Sequence, residues 1–232
     1  MKKKFLAKAL SVVMAAALLT GCGGGGGNDK ASSGGSRGDS GSDVITVGFS
    51  QVGAESDWRT ANSESMKSTF SEANGYKLIF DDAQQKQENQ ITAIRNFIQQ
   101  EVDYIVLAPV TETGWDTVLQ EAKDADIPVI IVDRMVDVSS DDLYTAWVGS
   151  NFKLEGQKAC EWLKAYAEAK GMKEINIVDI QGTIGASAQI GRTEALNEAV
   201  EANGWNLLAQ QTGEFTQAKG QEVMESMLKQ HD

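Results

Sequence analysis

Histidine is almost missing from this chain: among its 232 residues the one example is His231, next to the last position. That scarcity removes Ser-His-Asp triads, Cys-His dyads and histidine-based metal sites from consideration. Positive charge is also short, with 21 Lys and Arg against 33 Asp and Glu and a formal net charge of −12. Such a body is repelled by nucleic acid and by anionic lipid. Long apolar runs are absent apart from residues 9–19, which are too few to span a bilayer. No Asp-x-Asp-x-Asp-Gly calcium loop is visible. Carboxylate doublets do occur, at Asp81-Asp82 and Asp141-Asp142. Neighbours on a strand point to opposite faces and doublets in turns are solvated, so neither makes a general acid and base pair. The chain is not expected to be an enzyme.

What is present begins at the N-terminus. Lys2, Lys3, Lys4 and Lys8 form a cationic region ahead of the apolar run, and Leu19-Thr20-Gly21-Cys22 closes it. This resembles the lipobox of bacterial lipoproteins. The resemblance implies a signal peptide over residues 1–21, cleavage before Cys22, lipidation of its thiol, and a protein held by lipid on the extracytoplasmic face of a membrane. Residues 22–43 are almost all Gly, Ser, Asp, Asn and Lys, which predicts a disordered tether with a reach of roughly 25 Å. With Cys22 committed, Cys160 has no disulfide partner in the chain and is expected to be a small buried apolar residue on a helix.

From Val44 onward, short β-branched or aromatic runs alternate with amphipathic stretches, the pattern of βαβ units and a parallel sheet. Strands are expected over residues 45–50, 76–80, 104–108, 129–133, 145–148, 175–180 and 206–210. Residues 89–99 put Ile91, Ile94, Phe97 and Ile98 on one helical face, and residues 115–122 do the same with Val118, Leu119 and Ala122. The longest helix is expected over residues 151–170, capped by Asn151 and closed by Gly171. Two lobes follow, residues 44–150 and 151–232. The second has only two strands and three helices and reads as truncated, and a lobe without its full sheet is expected to be unstable or to bind weakly. No internal repeat beyond the βα rhythm is evident.

In open α/β sheets, ligands bind beyond the carboxyl ends of the strands. There the sequence places Ser50, Gln51, Trp58 and Arg59 after the first strand, Val110 to Trp115 after the third, Asp133-Arg134 after the fourth, and Ser187 with Arg192 after the sixth. An indole offers an apolar face to a sugar ring, while carboxylate and guanidinium groups make charge-assisted hydrogen bonds to hydroxyls. The glycine-rich loop at 181–187 has neither the Gly-Lys-Ser/Thr of a P-loop nor dinucleotide-site spacing. Plainer roles exist: Trp58 could cap an apolar patch, Asp133-Arg134 could be an ion pair, and Ser50, Gln51 and Ser187 could complete backbone hydrogen bonds.

Val47-Gly48-Phe49-Ser50-Gln51, Asp57-Trp58-Arg59, the Gln-Gln-Lys-Gln-Glu-Asn-Gln of residues 84–90, Ala108-Pro109-Val110 with Gly114-Trp115, Ile127-Pro128-Val129 with Asp133-Arg134, and Gln181-Gly182-Thr183 with Gly185-Ala186-Ser187 together resemble the type I periplasmic sugar-binding proteins of ABC importers. The resemblance continues through Phe215-Thr216, Gly220 and Met224-Glu225-Ser226. It implies an α/β fold of two Rossmann-like lobes with parallel sheets joined by a hinge, the second lobe incomplete. It further implies a galactofuranose-like monosaccharide in the cleft, stacked on Trp58 and bonded by Arg59, Asp133, Arg134 and Arg192, with Ser50, Gln51 and Ser187 as further contacts. No catalytic residue, metal or cofactor is implied. The implied partners are an ABC permease with its ATPase, and a monomer is expected. A sugar-responsive repressor would need a basic helix-turn-helix in place of this N-terminus. A receptor module that presents sugar or a quorum signal to a membrane sensor stays open beside the importer role.

Overall fold

The computed structural model describes residues 44–231. The expected signal peptide, the lipidation expected at Cys22, the expected tether and Asp232 all lie outside the described residues. The elements alternate as expected: β1 (Ile45–Gln51), α1 (Asp57–Thr69), β2 (Tyr76–Asp82), α2 (Gln87–Gln99), β3 (Tyr104–Leu107), α3 (Asp116–Asp124), β4 (Val129–Asp133), β5 (Ala146–Gly149), α4 (Phe152–Ala169), β6 (Asn176–Gln181), α5 (Ser187–Asn203), β7 (Asn206–Thr212) and α6 (Gln217–Gln230). Local chemistry sets several boundaries. Ser56 and Asn151 cap α1 and α4 by accepting the amides of Arg59 and Leu154, Thr216 does the same for Lys219 on α6, and Gly171 leaves α4 with a φ of +68°.

Five strands form one parallel sheet in the order β2-β1-β3-β4-β5, and β6 and β7 form a second parallel pair. Because β2 lies on one side of β1 and β3 on the other, the chain changes winding direction at β1, and the adjacent crevice opens at the carboxyl ends of β1 and β3. The core lies mainly between this sheet and helices α2 and α3. Ile94 and Phe97 meet Ile105, Leu107, Leu119 and Ile131 there, and each such side chain contributes about 1.5–3 kcal/mol on burial. Gly48 makes the contact possible, since a Cβ there would stand 2.5 Å from the Phe97 ring. Trp115 stood among the strand-end loop residues in the sequence, yet it is fully buried in this core with its indole N–H on the Thr111 carbonyl.

The sequence shows no repeat, but the structure does. β1 ends at Gln51 and α1 begins at Asp57; β6 ends at Gln181 and α5 begins at Ser187, the same interval. Gln51 Nε2 donates to Ser63 Oγ at 3.1 Å, and Gln181 Nε2 donates to Thr193 Oγ1 at 3.0 Å. After β2 the pair Gln84 and Gln85 adopts positive φ, and after β7 Glu214 and Phe215 do so at the same positions. The βαβα unit of the first lobe is therefore built again in the second with different side chains.

The second lobe depends on close helix contact. Gly156 of α4 lies against Ala195 and the Arg192 backbone of α5, where an added Cβ would stand 2.7 and 3.0 Å away. Gly191 faces the Lys153 amide across the same seam. Cys160 is buried there on α4, as expected. Neither β6 nor β7 has a fully buried residue, whereas β1 buries five in succession from Val47 to Gln51. An isolated pair of strands is marginal in water. Backbone amides of β1 and β3 are accordingly expected to show the slowest hydrogen exchange and those of β6 and β7 to exchange well before them, by mass spectrometry of peptic peptides. Equal protection of the two sheets would contradict this ordering.

Candidate functional site

A cavity of about 340 Å³ opens where the carboxyl ends of β1, β4 and β7 face the starts of α4 and α5. The first lobe supplies Glu55, Trp58 and Arg59 from the β1–α1 connection, with Asp133 and Arg134 from the end of β4. The second supplies Phe152 and Glu155 from α4, Arg192 from α5 and Phe215 from the turn after β7. A smaller cavity of about 100 Å³ adjoins it, sharing Arg192 and Phe215 and reaching Asp179, whose carboxyl is held above the usual range by burial.

Arg59 organises the first-lobe wall. Only 2% exposed, it sends Nε to Glu55 Oε1 at 3.2 Å, Nη1 to Gln51 Oε1 at 3.2 Å and Nη2 to Asp133 Oδ2 at 2.9 Å. All three of its nitrogens are thus engaged with protein, and it presents the two carboxylates to the cavity. Asp133 holds a φ of +63°, a conformation that costs a non-glycine residue energy and that surrounding contacts must enforce. The Asp133-Arg134 doublet is not the ion pair the sequence allowed; Asp133 pairs with Arg59 instead. Trp58 is exposed, with the Arg59 guanidinium 4.8 Å from its ring centroid.

Arg134 is buried, donates Nη1 to the Val110 carbonyl at 3.0 Å, stands 3.9 Å from Glu55, and lies 4.9 Å from the centroid of the Phe215 ring. Burial, and then the nearby Arg59 charge, push its guanidinium down to about 10. A base with a lowered folded-state value costs the fold stability while it is charged, and the cost is lifted only as pH rises through about 10. Across the cavity, Arg192 is tied to Glu155 at 2.8 Å and lies 5.1 Å from the centroid of the Phe152 ring.

Five of the residues expected from the sequence, Trp58, Arg59, Asp133, Arg134 and Arg192, meet in this cavity. Three do not line it. Ser50 shares the strand face of Gly48, which points to α2, and its hydroxyl is buried without a partner. The Gln51 carboxamide is consumed by the Val52 amide, Asn62, Ser63 and Arg59, so it braces Arg59 from behind. Ser187 accepts the Met135 amide at 2.8 Å and links the two lobes. Sequence reasoning missed Phe215 and Glu55. Phe215 entered the sequence reading only as part of the family resemblance, yet its ring fills the space left by Gly182, where any Cβ would overlap it.

The wall therefore combines three guanidinium groups with three carboxylates, one exposed indole and two further aromatic rings. Among the described residues no group of three His, Cys, Asp or Glu side chains gathers that could hold a metal ion. No helix among them is long and apolar enough to cross a membrane. Such a cavity is equipped to hold a ligand that has both apolar faces and hydroxyl groups.

Residues 47–232 match the family described as the periplasmic binding protein domain, and the chain belongs to that family. It is 48% identical over 186 residues to the galactofuranose-binding protein YtfQ of Escherichia coli, an alignment covering 80% of this chain and 57% of that relative. Among solved structures, a protein from Mycobacterium smegmatis in complex with β-D-fucofuranose superposes with a TM-score of 0.76 at 48% identity, covering 81% of this chain and 61% of the other. The binding-protein component of the arabinose ABC transporter from Shewanella sp. ANA-3, bound to α- and β-L-arabinofuranose, does so at 0.74 and 49%, covering 80% and 60%. The chain thus spans little more than half the length of these relatives. They are sugar-binding proteins rather than enzymes, and the family is extracytoplasmic.

The network separates two arginines by role. Arg59→Met leaves Glu55 and Asp133 without their shared partner and is expected to lower the free energy of unfolding by about 3–5 kcal/mol. Arg134→Met removes a charge that burial disfavours and is expected to change it by less than about 1 kcal/mol. Urea melts of the two variants check this, and equal losses would overturn the assignment.

Proposed function

We propose that this chain is the substrate-binding component of an ABC sugar importer, lipid-anchored through Cys22 on the extracytoplasmic face, and that it holds a neutral monosaccharide in furanose form between its two lobes. The observation that carries this reading is the balance of the cavity wall. Three guanidinium groups stand with three carboxylates around an exposed indole. A sugar phosphate or uronate would find no unpaired cation to meet it, whereas a neutral ring with vicinal hydroxyls can bond to these groups and lay its C–H face on Trp58. The relatives bound to fucofuranose and arabinofuranose support the ring form.

The mechanism follows from where the groups originate. Trp58, Asp133 and Arg134 belong to the first lobe and Arg192 and Phe215 to the second, so a sugar touches all of them only when the lobes are together. Binding then shifts the population from open to closed, and the closed form is what the permease distinguishes. The lobes meet through the Glu112 amide on the Gly185 carbonyl and the Met135 amide on Ser187, at 2.8 Å each.

Calorimetric titration of the chain with D-galactose, L-arabinose, D-fucose and D-ribose, with galactose 6-phosphate as the charged control, tests the reading. One neutral sugar is expected to bind with unit stoichiometry and the phosphate not to bind. Trp58→Ala and Arg134→Ala are each expected to weaken that sugar by about 1–3 kcal/mol, from lost stacking and from partners left unpaired. Binding within about twofold of the parent in both variants, or no heat from any sugar with a folded protein, would overturn it.

A further inference from the structure

The three guanidinium groups of the cavity wall differ in what surrounds them. Arg59 and Arg134 are buried, whereas the Arg192 side chain is 45% exposed and that of its partner Glu155 is 41% exposed. Among the described residues the hydrogen bonds of Arg192 run to Glu155 alone, with Nε and Nη2 donating to the same Oε2 atom at 3.2 and 2.8 Å. The tight seam of α4 and α5 brings the pair together. A Cβ on Gly156, the residue after Glu155, would stand 3.0 Å from the Arg192 Cα and 3.1 Å from its carbonyl oxygen. The Phe152 ring, its centroid 5.1 Å from the guanidinium, also holds Arg192 against α4. A pair this exposed adds little to the stability of the fold. Its place in the wall gives it another use.

Resting on the neutral-monosaccharide reading above, we infer that Glu155 is the residue that excludes anionic sugars, by occupying the Arg192 guanidinium and cancelling its charge. The other two arginines offer an anion less. Arg59 has all three nitrogens engaged with protein, and Arg134 is buried against the Val110 carbonyl, Glu55 and the Phe215 ring. Arg192 is therefore the cation of this wall that a ligand reaches most readily. A uronate carboxylate has the shape and charge of the Glu155 side chain and competes for the same Nε and Nη2. While Glu155 is in place, such a ligand must displace one carboxylate and then lie beside it, where like charges repel. A neutral hydroxyl meets no such repulsion. Glu155 is thus a positioning residue for Arg192 that sets selectivity by disfavouring the wrong ligand.

Glu155→Gln keeps the length of the side chain and an oxygen for Arg192, and removes only the charge. The test is calorimetric titration of the full chain and of this variant with the tightest neutral sugar of the panel and with D-galacturonate. The preference for the neutral sugar over galacturonate is expected to fall by about tenfold or more in Glu155→Gln, a gain of anion binding that unfolding cannot produce. Inorganic phosphate, small enough to enter beside Arg192, gives a second readout. At an ionic strength fixed with sodium chloride it is expected to compete with the neutral sugar in the variant and not in the parent. Glu155→Ala is expected to show the same gains and serves if the Gln variant melts early. Glu194→Gln, which removes the same charge from a pair with Lys153 away from the cavity, is expected to leave both readouts at the parent values. Variants at Glu155 that keep the parent preference and ignore phosphate, or an equal gain in Glu194→Gln, overturn the inference. If the parent binds no neutral sugar, or binds galacturonate as tightly as one, the monosaccharide reading falls and takes this inference with it. A selective parent with an equally selective Glu155→Gln removes the role of Glu155 alone.

Discussion

The buried guanidinium of Arg59 joins three parts of the chain that are distant in sequence. It leaves α1, meets the last residue of β1 through Gln51, the β1–α1 connection through Glu55, and the end of β4 through Asp133. A charge at 2% exposure is tolerable only when its donors are satisfied, and here two carboxylates and a carboxamide meet that requirement. Because the three acceptors sit on different elements, satisfying the charge fixes the separation of β1 and β4 at the rim. It also holds the two carboxylates at set angles to the cavity. Remove that constraint and the Asp133 backbone has no reason to keep its positive φ.

Arg134 follows the opposite logic. Burial pushes its guanidinium down to about 10, and it is kept between the Val110 carbonyl and the Phe215 ring of the other lobe. One arginine thus ties together three elements of the first lobe while its neighbour in space reaches the ring of the second, although both read as the same kind of residue in sequence.

The repeated βαβα unit explains why the second lobe can build a facing wall from unrelated side chains. The strand-end glutamine bonded to a helix hydroxyl and the pair of positive-φ residues before the second helix occur in both. At positions matching Trp58 and Arg59 in the repeat the second unit has Ala188 and Gln189, which clears space, and at the position of Gln85 it has Phe215, which fills it. Backbone geometry recurs because strand twist and turn closure impose it. Side chains at those places do not, which is why the repeat left no trace in sequence periodicity.

The order of strands and helices, the faces of α2 and α3, the caps Asn151 and Gly171, and the buried Cys160 were legible in the chain, because each depends on interactions between residues a few positions apart. The gathering of Trp58, Arg59, Asp133, Arg134 and Arg192 was legible too, since parallel strands deliver their carboxyl ends to one side. Tertiary packing decided the rest. Ser50 turned to α2, Gln51 was consumed as a brace, Ser187 joined the lobes, Trp115 entered the core, and Asp133 chose Arg59 over its own neighbour. For Ser187 and Asp133 the outcome hung on which long-range partner stood within 3 Å or so of the side chain, and for Ser50, Gln51 and Trp115 on which element packed against it. A local pattern contains no such information, because the same serine, glutamine or tryptophan serves equally well at a wall, behind it or in the core until the neighbouring element is in place.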